Sequence, residues 1–149
     1  MFISGSLKHG ARAKDFETAI QWLVDAGLVY KVPLCKEVKL PLKAYEDPSA
    51  FKLFTLELGL LGAMMGTEAN QVLIKNEIFS EYKGGMTEQY VLEEMKSNGE
   101  ESIFYHKRDD GTRLEIDFMI QRDGKLLPIE VKAEGNVRAN SLSSLLKQT

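Results

Sequence analysis

Residues 114–135 read LEIDFMIQRDGKLLPIEVKAEG, and this stretch decides the fold. Apolar residues alternate with polar ones on both sides of Asp123-Gly124. An Asp-Gly pair between alternating runs predicts a two-residue hairpin turn, because both central positions need positive φ. The predicted strands are Leu114–Gln121 and Lys125–Ala133. Such a turn sets the register: Asp117 stands opposite Glu130, and Glu115 opposite Lys132. The two-residue period of a strand then puts these four side chains on one face. Ile116, Phe118, Ile120, Ile129 and Val131 fall on the other face, toward a core.

Glu115 opposite Lys132 is an ordinary cross-strand ion pair. Asp117 opposite Glu130 is not, since like charges directly opposite destabilise a sheet. Three arrangements relieve the repulsion. One carboxylate stays protonated, both turn out into water, or a divalent cation sits between them. Mg²⁺ takes one or two carboxylates with waters and phosphate oxygens, and a lysine beside it can orient a water or a phosphate. The competing reading is a solvated outer face whose acids and lysines have no further task.

Working back from the hairpin, Met86–Ser97 has helical spacing. Thr87 is its predicted cap, and Val91, Leu92 and Met95 form its apolar stripe. Glu88 lies one turn before Leu92, at the edge of the buried face. Asn98-Gly99 ends the helix, Ser102–Arg108 is a strand, and Asp109-Asp110-Gly111 is a turn. That turn would place His106 against Glu115, either in an auxiliary role or as a surface histidine. NSLSSLLKQT starts a last helix. The second half therefore reads as helix, three-stranded antiparallel meander, helix.

The first half reads as a small mixed module. Asp15 caps a helix through Ala26 that carries Phe16, Ala19, Ile20, Leu23 and Val24 at helical spacing, and Gly27 stops it. Trp22 is expected in the core. Leu28–Val32 is a short strand interrupted at Pro33. Helix, glycine and strand together are also what a winged-helix fragment shows. Pro41, Pro48 and YEDPS mark a loop. FKLFTLELGLLGAMMG fits a strand over Phe51–Leu56 and a helix from Gly59, with Met64-Met65 as core filler. GTEANQVLIKNEIFSEYKGG has helical spacing and ends at Gly84-Gly85, which marks the boundary between residues 1–83 and 84–149. His9 lies among Lys8, Arg12 and Lys14, a cluster that is solvated or touches phosphate. The fold class is α/β in the mixed α+β sense.

A chain of 149 residues with 44% hydrophobic and 28% charged residues can bury a core. No apolar run reaches the ~20 residues of a membrane span, and the first residues lack the apolar middle of a secretory signal. Cys35 is the sole cysteine, which excludes an internal disulfide and suits a reducing cytoplasm. The net charge of -3 excludes a general polyanion binder.

An acid on one strand followed by Glu-x-Lys on the next resembles the active-site signature of the PD-(D/E)XK nuclease superfamily, the restriction-endonuclease-like fold. Asp117 matches the first acid, Glu130-Val131-Lys132 the E-x-K element, and Glu88 the helical glutamate before the strands. RAKDFETAIQWLVDAGLV, PLKAY, FKLFTLELGLLGAM, GGMTEQYV, LEIDF and PIEVKAE, covering most of the chain, resemble the C-terminal domain of a bacterial and archaeal family. That family carries an N-terminal AAA-type ATPase domain and a nuclease-like C-terminal domain of unknown function.

The resemblance implies Mg²⁺ or Mn²⁺ held by Asp117, Glu130 and Glu88. It implies Lys132 as the residue acting on water and phosphate, DNA as substrate, and an upstream ATPase domain as partner. The chain itself contains no phosphate-binding loop of the G-x-x-x-x-G-K-[ST] type. Glu57 stands where the family pattern leads one to expect Asp. The nuclease-like core ordinarily adds a strand after its second helix, so with an end at Thr149 the expectation is either a truncated chain or loss of that trait. Three functions follow: metal-dependent phosphodiester cleavage, a non-catalytic module that binds nucleic acid or protein and regulates an ATPase, or a plain scaffold.

Overall fold

The computed structural model describes residues 16–57, 59–60, 63, 78–108, 114–132, 143 and 145, with side chains of the long helix from residue 84 onward. Among the described residues the architecture is mixed α+β, with two α-helices and one five-stranded mixed sheet. In chain order these are α1 (Glu17–Asp25), β1 (Val29–Cys35), a short 3-10 helix (Leu42–Tyr45), β2 (Glu46–Thr55), α2 (Ile78–Ser97), β3 (Ile103–Lys107), β4 (Glu115–Arg122) and β5 (Lys125–Ile129). The sheet order is β2-β1-β3-β4-β5. β1 and β3 run parallel, and the other pairs are antiparallel. Strands from both halves of the sequence thus share one sheet.

The β4–β5 hairpin has the register that the Asp-Gly turn dictates. Phe118 pairs Ile129, Ile120 pairs Leu127 and Arg122 pairs Lys125. Asp123 and Gly124 have φ of 52° and 70°, the left-handed pair a type I′ turn demands. The ladder ends at Ile129, so Glu130, Val131 and Lys132 lie just beyond β5 rather than inside it.

The β3–β4 pair departs from simple alternation. Phe104 pairs Met119, but His106 pairs Ile116, so Asp117 and Phe118 together stand against Tyr105 alone. This is a β-bulge, and it reverses the facing of everything beyond it. Phe118 and Ile120 join Val32, Phe54, Leu92, Ile103 and Tyr105 in one core. Ile116 joins Cys35, Leu42, Phe104, Leu114, Met119 and Leu145 in a second core on the opposite face. The expected single row of Ile116, Phe118 and Ile120 is therefore split between two cores. His106 faces Ile116 instead of Glu115. It is buried, with Nδ1 2.9 Å from the Cys35 carbonyl, so it is neither a surface group nor part of the acidic site.

β1 and β2 contain a second irregularity. Pro33 pairs Phe51 but Leu34 pairs Asp47, which leaves residues 48–50 outside the ladder. Proline cannot donate to a ladder, and both Pro33 and Pro48 sit at this break. β1 therefore continues through Pro33 to Cys35; of the predicted YEDPS loop, Tyr45 ends the 3-10 helix and residues 46–49 are the irregular start of β2. Asp47 caps the bulged segment by accepting from the Ser49 amide at 2.9 Å and the Ser49 hydroxyl at 2.6 Å.

α1 ends where Gly27 adopts φ +69°, as the sequence predicts. Phe16 stands at its N-cap, and Asp15 lies outside the described residues. Of its apolar residues Ile20 is buried, whereas Trp22 is 68% exposed and is not a core residue. α2 runs unbroken through Gly84-Gly85, so the predicted stop there does not occur and Thr87 is interior to the helix. Two glycines cost a helix about 1 kcal/mol each. Packing offsets this: Leu92 is fully buried, and Val91 and Met95 pack on the Phe54–Phe118 core. The helix stops at Asn98-Gly99, with Gly99 at φ +85°. The expected turn at Asp109-Asp110-Gly111, Met64-Met65, the His9 cluster and most of the final helix lie outside the described residues.

Candidate functional site: an acidic cluster around Lys52

Three elements converge beside the bulge. β4 supplies Glu115 and Asp117, α2 supplies Glu88, and β2 supplies Lys52. The bulge explains the position of Asp117. It lies next to Phe118 on the face covered by α2, at the point where the apolar core gives way to charge.

Lys52 is the centre of the cluster. It is 5% exposed and pairs with Val32 in the strand ladder. Its ammonium lies 2.7 Å from Glu115 Oε1 and 3.6 Å from Glu88 Oε2, and 5.1 Å from the centre of the Tyr105 ring. Burial pulls its pKa down, but Glu88, Glu115 and Asp117 together outweigh that and leave it raised. The expected partner of Glu115, Lys132, is paired with Glu130 instead, at 2.6 Å.

Asp117 and Glu130 share the hairpin end as the register implies, but their carboxylates are separately engaged. Asp117 Oδ2 accepts a 2.7 Å hydrogen bond from the Val131 amide, between Glu130 and Lys132. The Glu130 side chain is almost wholly buried against Lys132, whose own side chain is about one-third exposed. Burial raises the Asp117 carboxyl above its ordinary pKa, against the lowering effect of the Val131 amide, Lys52 and Lys132. Burial likewise raises Glu88, opposed by Lys52 and reinforced by Asp117 and Glu115. Among the described residues, nothing donates a hydrogen bond to the buried Glu88 Oε2, although Lys52 lies within ion-pair distance. Glu88, Asp117, Glu130 and Lys132 are thus brought into one neighbourhood.

Lys52 escaped the reading of the sequence. The signal was present: one lysine in FKLFT, at the same parity as Phe54, where an inward apolar residue belongs. Gln89 was missed as well. It is 1% exposed, and its amide donates to the Thr55 carbonyl at 2.8 Å and accepts from the Thr55 amide at 3.1 Å. It also donates to Glu93 at 2.8 Å. These bonds fasten α2 to the end of β2 and so fix where Glu88 points.

A cation would fit this charge pattern. Among the described residues, four carboxylates (Glu88, Glu115, Asp117, Glu130) stand with two ammonium groups (Lys52, Lys132), and one buried Glu88 oxygen has no hydrogen-bond donor. Among the described residues, however, no three His, Cys, Asp or Glu side chains are already arranged around a common point as a metal-holding group. A magnesium-type ion needs only one or two protein carboxylates, with water completing its shell.

Residues 83–149 match a family model described as a domain of unknown function, DUF4143. Residues 1–71 match a second domain of unknown function, DUF8612. Neither description names an activity. No curated protein and no solved structure matches the chain. Glu88, Glu115, Asp117, Glu130 and Lys132 fall in the first matched segment and Lys52 in the second, so the cluster joins the two. Among the described residues no helix is long and apolar enough to cross a membrane.

Proposed function

We propose that the cluster is the site of a restriction-endonuclease-like core that cleaves phosphodiester bonds, with DNA as substrate and Mg²⁺ or Mn²⁺ as cofactor. The observation that carries this reading is the placement of Asp117. Its carboxylate is bonded to the amide between Glu130 and Lys132 and lies within electrostatic reach of Glu88 on α2. An acid on β4, an E-x-K element just past β5 and a glutamate on α2 lie close together, and this closeness supports the arrangement the sequence resemblance implies. Asp117 and Glu130 would hold the cation, with Glu88 in support. A bound divalent cation acts as a Lewis acid toward phosphate and lowers the pKa of bound water. Lys132, the more exposed of the two lysines, would orient the attacking water and offset charge developing on phosphate. The partner in this reading is an upstream AAA-type ATPase domain, and residues 1–83, with α1, β1 and β2, form a winged-helix-like module.

One observation favours a second reading, a non-catalytic module that binds nucleic acid or protein and regulates an ATPase. Asp117, Glu130 and Glu115 each already have an internal partner in Val131, Lys132 and Lys52. Plasmid cleavage separates the two readings. Wild-type protein should nick DNA with Mn²⁺ and not with EDTA. Lys132→Ala should lower the rate about 10²–10³-fold while keeping the Mn²⁺-induced rise in Tm, because an ammonium cannot ligate a cation. Glu130→Gln should lose that rise. Absence of cleavage by the wild-type protein, joined to its ATPase domain, leaves the regulatory module as the function.

A further inference from the structure

We infer that Lys52 is the built-in counter-cation of the acidic cluster: it positions Glu88 and Glu115, and it sets how weakly the cluster takes a divalent metal. The inference rests on the metal-site reading above for its second half and on geometry alone for its first. Lys52 is a lysine at an inward position of the edge strand β2, opposite Val32, where the neighbouring inward residue on its own strand is Phe54. Burial disfavours the ammonium, and the groups placed against it offset that. Glu115 on β4 lies at 2.7 Å, Glu88 on α2 at 3.6 Å, and the face of Tyr105 on β3 at 5.1 Å. Asp117 on β4 adds to the same field. A buried ammonium without such partners would be strongly unfavourable, and the partly buried Glu88 would lose its nearest positive charge without the ammonium.

This arrangement has a consequence for metal binding. An ion approaching Glu88 and Asp117 meets a fixed positive charge already bonded to one carboxylate and near two others. Like charges a few ångströms apart in a partly buried site repel strongly. Lys52 therefore keeps the cluster assembled without metal and weakens its affinity for metal. Lys132 is placed differently: it lies past the end of β5 and is bonded to Glu130, and removing it leaves the Lys52 contacts intact.

The test uses the full chain, stripped with EDTA, as wild type, Lys52→Met, Lys52→Arg and the double variant Lys52→Met/Glu115→Gln. Methionine keeps the length of the aliphatic stem while removing the charge. In EDTA, Lys52→Met should melt below wild type, Lys52→Arg should melt near it, and Glu115→Gln should recover part of the loss in the Lys52→Met background. In calorimetric titration with Mn²⁺, Lys52→Met should bind about tenfold or more tightly than wild type, and Lys52→Arg close to wild type. Folded Lys52→Met with unchanged or weaker Mn²⁺ affinity than a binding wild type overturns the metal half. A double variant no more stable than Lys52→Met overturns the positioning half. If no variant binds Mn²⁺ but the double variant recovers stability, the proposed metal function fails while the positioning role of Lys52 stands.

Discussion

Asp117 and Phe118 are neighbours on β4 and share one face of the sheet, yet they belong to opposite environments. Phe118 is fully buried, its ring centroid 5.7 Å from that of Phe54. Asp117 is a carboxylate among Lys52, Glu88 and Glu115. A regular strand would have sent the two to opposite faces, with Asp117 away from α2. The bulge against Tyr105 keeps both beneath α2 and makes a sharp border between an apolar end and a charged end. α2 repeats the border along its length: Glu88 and Gln89 serve the charged end, Leu92 and Met95 the apolar one. The partly buried charge cluster is anchored directly beside the apolar core of Phe54, Leu92 and Phe118.

The largest expected effect is at the apolar end. Phe118→Ala removes a ring packed on Phe54 in a core shared by four strands and α2, and should destabilise the chain by about 3–5 kcal/mol in urea unfolding. A loss below about 1 kcal/mol would mean that the Phe54–Phe118 contact is not what holds the border in place.

The charged end should announce itself through pH. Burial raises the pKa of both Glu88 and Asp117, so the folded chain binds their protons more tightly than the unfolded chain. Their contribution to stability is full below the unfolded values, near 4, and is lost as pH rises through the raised folded values. Tm should therefore climb as pH falls through those raised values toward about 4, and Glu88→Gln should flatten the climb. Asp47 works in the opposite sense. The Ser49 hydroxyl, Lys36 and the Ser49 amide hold it down at about 2, so its contribution is present above about 4 and lost as pH falls through about 2. A profile that Glu88→Gln leaves unchanged would place the titrating groups elsewhere.

The two edges of β4 also explain what could be read from the sequence. Its edge with β5 was legible because Asp123-Gly124 needs positive φ at both positions and so fixes the register one residue at a time. Its edge with β3 was not, because Asp117-Phe118 contains no glycine or proline to announce a bulge. The face of Ile116 and the partner of His106 were misread for that one reason. Glu88, Asp117 and the Glu130–Lys132 segment were legible as chemistry, since their spacing follows from one helix and one hairpin. Lys52 was hidden because its partners lie on β3, β4 and α2, all more than 30 positions away in the sequence. The stop expected at Gly84-Gly85 failed because local propensity lost to the packing of Leu92 and Met95.

Glycines at the two ends of this design sharpen the contrast, with smaller effects of opposite sign. Gly124 has φ +70° in the turn that sets the hairpin register. Gly124→Ala forces a side chain into the left-handed region and should cost about 1–2 kcal/mol, although no atom lies within 4 Å of the added Cβ. Gly84 lies one turn before Glu88 inside α2, at ordinary helical φ, and its added Cβ also meets nothing within 4 Å. Gly84→Ala should therefore stabilise the chain by about 0.5–1 kcal/mol, because alanine gives up less backbone freedom than glycine on entering a helix. Urea midpoints of the two variants should move in opposite directions from wild type. A Gly84→Ala midpoint at or below wild type would mean that the helix is not continuous through residue 84, and with it would go the fixed approach of Glu88 to Lys52.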